Sequence, residues 1–77
     1  MEYVIVRYLN SRLVYVDGQD AGETARMLFV EEGHHVFDLG EPRDYEPPEL
    51  EVDVTGTTSI DPLELVFTPR GGSGGQA

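Results

Sequence analysis

Two adjacent histidines, His34 and His35, follow Glu31 and Glu32 across a single glycine, and side chains of these types can hold a divalent metal or act as a pH switch. In an extended chain, however, neighbouring residues point to opposite faces, so the two imidazoles do not converge on one ion. The alternation predicts His35 packed inward and His34 exposed. His34, Glu31 and Glu32 remain the candidate metal ligands, secondary to a structural role. The stretch Asp17-Gly18-Gln19-Asp20-Ala21-Gly22-Glu23 gathers oxygen ligands as a calcium loop does. It lacks the Asp-x-Asp-x-Asp-Gly spacing and the closing glutamate that wrap the ion, and a β-turn is the better reading. Glu49, Glu51 and Asp53 recur at a spacing of two, which sets them about 7 Å apart along a strand. Paired carboxylates hydrolyse glycosides only when they flank a substrate cleft, and with no cleft predicted these three read as the solvated face of a strand. Ser11, Ser59 and Ser73 lack a nucleophile elbow, and the glycines from Gly71 to Gly75 precede no helix of the kind a phosphate loop requires. The sequence therefore predicts no enzyme activity and calls for no metal or cofactor.

Charge narrows the partners. Fifteen acidic residues stand against five basic ones, all arginine, for a net charge of −10. Nucleic-acid binding draws on counterion release at clustered basic residues, and this chain has no such cluster. Anionic membranes are disfavoured for the same reason, and no apolar run approaches the roughly 20 residues of a spanning helix. The acidity serves solubility, or else forms a docking surface for a basic protein. With no cysteine, neither a disulfide nor a thiolate metal site can support the core. No basic segment or small-residue cleavage site follows Met1-Glu2, so a cytoplasmic location is expected if Met1 is the natural start.

The elements that would position these residues read as strands. Tyr3 to Leu9 is β-branched or aromatic almost throughout, interrupted by Arg7. Leu13 to Val16 is a second strand, and Asp17-Gly18 is a hairpin turn pair that tolerates positive φ. Gln19 to Gly22 reads as a short return or loop. Glu23 to Val30 contains good helix formers but is confined between Gly22 and Gly33, too short for a stable helix, so Leu28 and Val30 are placed on a strand. No helix longer than about two turns is expected. His35, Phe37 and Leu39 alternate with His34, Val36 and Asp38, and Leu50, Val52 and Val54 alternate with Glu49, Glu51 and Asp53. Gly40 to Pro48, with three prolines, is a surface loop in which Tyr45 folds back as an anchor. Leu63, Leu65 and Phe67 line the last strand, which Pro69 ends.

About six short strands with regular turn signals predict an all-β fold, a small antiparallel β-sandwich or a partly closed barrel, spanning residues 1–69. Residues 70–77 form a Gly/Ser-rich tail. The core is expected to comprise Val4, Val6, Val14, Val16, Leu28, Val30, Phe37, Leu39, Val52, Val54, Leu65 and Phe67.

The stretch Val14-Tyr15-Val16-Asp17-Gly18, then Gly22-Glu23-Thr24, then Leu28 to Leu39 with its glycine turn, and finally Asp44-Tyr45-Glu46-Pro47, resembles the PEGA domain over roughly residues 10–54. Ala25 stands where a proline commonly follows the threonine. The resemblance implies a small β-sandwich that serves as an accessory module of bacterial envelope proteins, without enzymatic activity, and a cell-envelope location if the chain is an excised domain.

The function expected from these readings is a non-enzymatic protein-interaction or structural module. Its contacts are expected from Tyr45 with the acids Glu49, Glu51 and Asp53, and from the first strand, taken as a sheet edge, through Tyr3, Ile5 and Arg7. A homodimer through that edge and a basic protein partner are the interactions this predicts. The alternative is a small-ligand or metal-binding module at the turn of His34, Glu31 and Glu32.

Overall fold

The computed structural model describes residues 1–70. Its strands are β1 (Glu2–Arg7), β2 (Leu13–Val16), β3 (Gln19–Glu23), β4 (Met27–Val30), β5 (Gly33–Asp38), β6 (Tyr45–Glu46), β7 (Leu50–Val54), β8 (Leu63–Val66) and β9 (Thr68–Pro69). There is no helix among the described residues. The strands form a three-stranded sheet in the order β4-β1-β8, a four-stranded sheet in the order β3-β2-β5-β7, and a ribbon of β6 with β9. The two larger sheets share one apolar core, which makes the domain a small β-sandwich and not a closed barrel.

Local chemistry explains the path. Asp17 and Gly18 have φ of 53° and 83°, the pair of positive values that lets a two-residue hairpin follow the twist of its strands. β2 therefore turns straight into β3, a strand that the sequence, with its two polar and two small residues before Glu23, presents as a short return or loop. The chain then crosses between sheets at Thr24 and Ala25. The buried Thr24 hydroxyl donates to the Asn10 carbonyl at 2.9 Å and accepts the Arg12 N–H at 3.0 Å, which fastens the β1–β2 loop beneath the crossing. Ala25 has φ of 65° and donates its N–H to the Val6 carbonyl at 2.8 Å. Proline can do neither, so this step calls for a residue other than proline.

The core holds ten of the twelve expected residues: Val4, Val6, Val14, Leu28, Val30, Phe37, Leu39, Val54, Leu65 and Phe67. Val16 and Val52 are half-buried against its margin, and Tyr45 joins it with 2% of its surface exposed.

Four expectations need correction. β1 is not an edge: it lies between β4, which it pairs antiparallel, and β8, which it pairs parallel. A strand hydrogen-bonded on both sides has no free ladder to offer, so dimerisation through its edge is excluded by the topology. The parallel β1–β8 pair also departs from a purely antiparallel sandwich. Second, the proline-rich loop contains β6, which pairs with β9 through Tyr45↔Pro69 and Glu46↔Thr68. Third, the ordered chain runs past Pro69, since the Arg70 N–H donates to the Asp44 carbonyl at 2.9 Å. The rest of the expected tail, residues 71–77, lies outside the described residues. Fourth, the burial of Tyr45 removes it from the exposed contact set.

Candidate functional site

Antiparallel pairing of β5 with β7 places His34 opposite Asp53 and Val36 opposite Glu51. His34 is exposed, as its alternation with His35 predicts. Its Nδ1 lies 2.9 Å from an Asp53 carboxylate oxygen and its Nε2 lies 3.5 Å from one of Glu51. Both partners only accept, so the pairing favours the doubly protonated ring. The hydrogen bonds to Asp53 and then Glu51 accordingly raise the His34 pKa above its ordinary value. The expected grouping with Glu31 and Glu32 is not what the fold assembles: the Glu32 carboxylate accepts the Thr55 hydroxyl at 2.8 Å. Among the described residues, no three His, Asp or Glu side chains are arranged to hold a metal ion.

β7 is the outermost strand of its sheet, and among the described residues its backbone hydrogen bonds run only to β5. Its far edge thus presents the N–H and C=O groups of alternate residues to solvent. Glu49, Glu51 and Asp53 are exposed beside that edge. The opposite edge of the same sheet is blunted. The β2–β3 pairing shifts register between Val14 and Tyr15, and the Asp20 carboxylate occupies the Gly22 N–H at 3.2 Å. Tyr3, Ile5 and Arg7 are placed on the outward face of the other sheet, remote in topology from the β7 edge.

His35 faces inward with 14% of its side chain exposed, and it joins three segments. Nδ1 lies 2.7 Å from the Asp17 carboxylate, and Nε2 lies 2.7 Å from the Glu31 carbonyl. The other Asp17 carboxylate oxygen accepts the Val36 N–H at 3.0 Å. A ring held between a carboxylate and a carbonyl needs a proton on each nitrogen, so the clamp requires the imidazolium. The bond to Asp17, followed by that to the Glu31 carbonyl, raises the His35 pKa, with burial and then the neighbouring His34 charge opposing. The bond from His35, followed by that from the Val36 N–H, lowers the Asp17 pKa. The calcium-like run is therefore committed at its first acid to a structural bond.

The sign of the pH dependence follows. The His35 contribution is complete below the ordinary histidine value of 6.5 and is lost as pH rises through the raised value. The Asp17 contribution is complete above 3.8 and is lost as pH falls through the lowered value. The clamp is strongest between these limits. The unfolding midpoint is expected to fall as pH rises from about 6 to about 9, the range in which histidines discharge. His35→Gln should remove most of that slope and His34→Gln the remainder. Thermal melts in which His35→Gln keeps the full slope would contradict the clamp.

Arg12 is the structural residue that sequence reading missed. Its guanidinium lies 5.7 Å from the Tyr8 ring centroid and 5.4 Å from that of Tyr45. It also pairs with Asp44 at 2.9 Å and donates to the Pro42 carbonyl at 2.8 Å. An arginine after a polar turn carries no sequence signal for this. Asp44, Pro42 and Tyr45 lie about 30 residues further on and meet it only once the loop is folded.

Comparison with family models, with curated proteins and with solved structures found no match.

Proposed function

We propose that this chain is a non-enzymatic protein-interaction module, in the manner that its likeness to PEGA domains implies, and that it takes an extended basic segment along the outer edge of β7. The observation that carries this reading is the open ladder of Leu50–Val54 flanked by the exposed Glu49, Glu51 and Asp53. Strand addition draws affinity from backbone hydrogen bonds and specificity from alternate side chains. Here, every second side chain on the receiving strand is acidic, which favours lysine or arginine at alternate positions of the incoming one. The same acids oppose pairing of two such edges from copies of this chain, because like charges would face each other. His34 tunes the surface: protonated, it offsets Asp53 and Glu51, and discharged, it leaves both free to attract.

A synthetic peptide of alternating lysine and valine is the probe. Amide shift changes on titration should concentrate in Leu50–Val54, and the affinity should weaken as salt rises. The combined Glu49→Ser, Glu51→Ser and Asp53→Ser variant should fold normally yet bind at least about tenfold more weakly, a loss of about 1.4 kcal/mol. Binding by the triple variant with unchanged affinity and salt dependence refutes the reading.

A further inference from the structure

The outward face of the β4-β1-β8 sheet is apolar where an uncovered sheet face is normally polar. β1 directs Tyr3 and Ile5 outward, because Val4 and Val6 between them are buried. Register sets Phe29 beside Tyr3, Met27 beside Ile5 and Val66 beside Arg7. Phe29 is 59% exposed and Val66 57%, and the Tyr3 and Phe29 rings meet edge to face with centroids 5.6 Å apart. The charged side chains on the outward positions of these strands are Arg7 and Glu64, which pair with each other at 3.2 Å.

We infer that this face is the interface between two copies of the chain. Charge singles out a second copy as the occupant. The molecule carries −10, and the outer face of the other sheet presents Glu51, Asp53 and Asp38. A basic partner is drawn to that acidic face and gains nothing electrostatic from a neutral one. Two copies, by contrast, repel across any acidic surface and can approach only where the local charge sums to zero. The β4-β1-β8 face meets that condition through its one arginine and one glutamate. It also supplies the apolar and aromatic area that self-complementary interfaces bury at their centre.

This mechanism predicts an unusual salt response. An interface held by ion pairs weakens with salt. Here apolar contact drives association while the net charge of each copy opposes it, so screening should strengthen the dimer. Sedimentation equilibrium on the full chain, from micromolar to submillimolar protein, should show a monomer–dimer equilibrium that shifts toward dimer between low and high NaCl. Phe29→Glu should weaken dimerisation at least about tenfold, as loss of a central aromatic contact does. Val66→Glu provides an independent second variant. Both sites are exposed, so the circular dichroism spectra of the two variants should match that of the parent. Binding of the lysine–valine peptide to the β7 edge should also be unchanged, which separates this interface from the proposed function. A chain that remains monomeric in high salt across the whole range overturns the inference. So does a dimer that survives both substitutions.

Discussion

Leu39→Asp is expected to unfold the domain at room temperature. Leu39 has 1% of its surface exposed and lies in the shared core of the two sheets. Removing a buried leucine side chain costs about 2–5 kcal/mol, and placing an unpaired carboxylate there adds the cost of desolvating a charge. A domain of 70 described residues has about 3–10 kcal/mol in total. Arg12 donates to the Leu39 carbonyl at 3.4 Å but is already committed to Asp44 and the Pro42 carbonyl, which limits its capacity to neutralise the new charge. Val16→Asp should be milder, because Val16 is only half-buried and its new carboxylate can reach water. Glu51→Ala should change stability by no more than about 0.5 kcal/mol, as substitutions at exposed sites usually do. Amide spectra and urea titrations of the three variants test the assignment of faces. A folded Leu39→Asp beside an unfolded Glu51→Ala would invert it.

The faces were legible because period-two alternation depends on local geometry alone. Leu50 to Val54 shows it most plainly, with Val54 buried and Glu51 and Asp53 exposed. What alternation cannot carry is the order of strands in space. Tyr3 to Arg7 has the composition of a strand wherever it sits, and only the parallel arrival of β8 from the far end of the chain makes it central. β3, β6 and β9 escaped for a related reason. Gln19 to Glu23 contains no large apolar residue, and β6 and β9 have two residues each, so their strand character comes from pairing and not from propensity. The site divides the same way. The opposite facing of His34 and His35 follows from adjacency, whereas their acidic partners Asp53 and Asp17, 19 and 18 residues away, depend on strand register. Tyr45 shows both limits. Its anchoring was readable from a lone aromatic in a polar loop, but so complete a burial depends on Phe67 and Tyr8, which arrive from either end of the sequence.

That burial makes Tyr45 the other position where a large effect is expected, and its ring and hydroxyl can be separated. The ring meets Phe67 edge-on with centroids 5.4 Å apart and receives the Arg12 guanidinium at 5.4 Å. The hydroxyl donates to the Gly40 carbonyl at 2.9 Å and accepts the Leu39 N–H at 3.1 Å and an Arg43 guanidinium N–H at 3.3 Å. This is the bonding of a tyrosine corner, in which the phenol ties a sharp turn to backbone a few residues upstream. Tyr45→Phe keeps the ring but leaves the buried Leu39 N–H without its acceptor, a loss of about 1–3 kcal/mol. Tyr45→Ala also opens a cavity beside Phe67 and removes the surface on which Arg12 rests, for a total of about 3–5 kcal/mol or more. The second variant should therefore be largely unfolded, while the first should fold with a lowered urea midpoint. Because the phenol is buried, Tyr45→Phe should leave binding of the lysine–valine peptide unchanged. A stability equal to that of the parent would show that the hydroxyl's bonds contribute nothing net. A loss of peptide binding in the folded Tyr45→Phe variant would return Tyr45 to the contact surface, against its burial in the core.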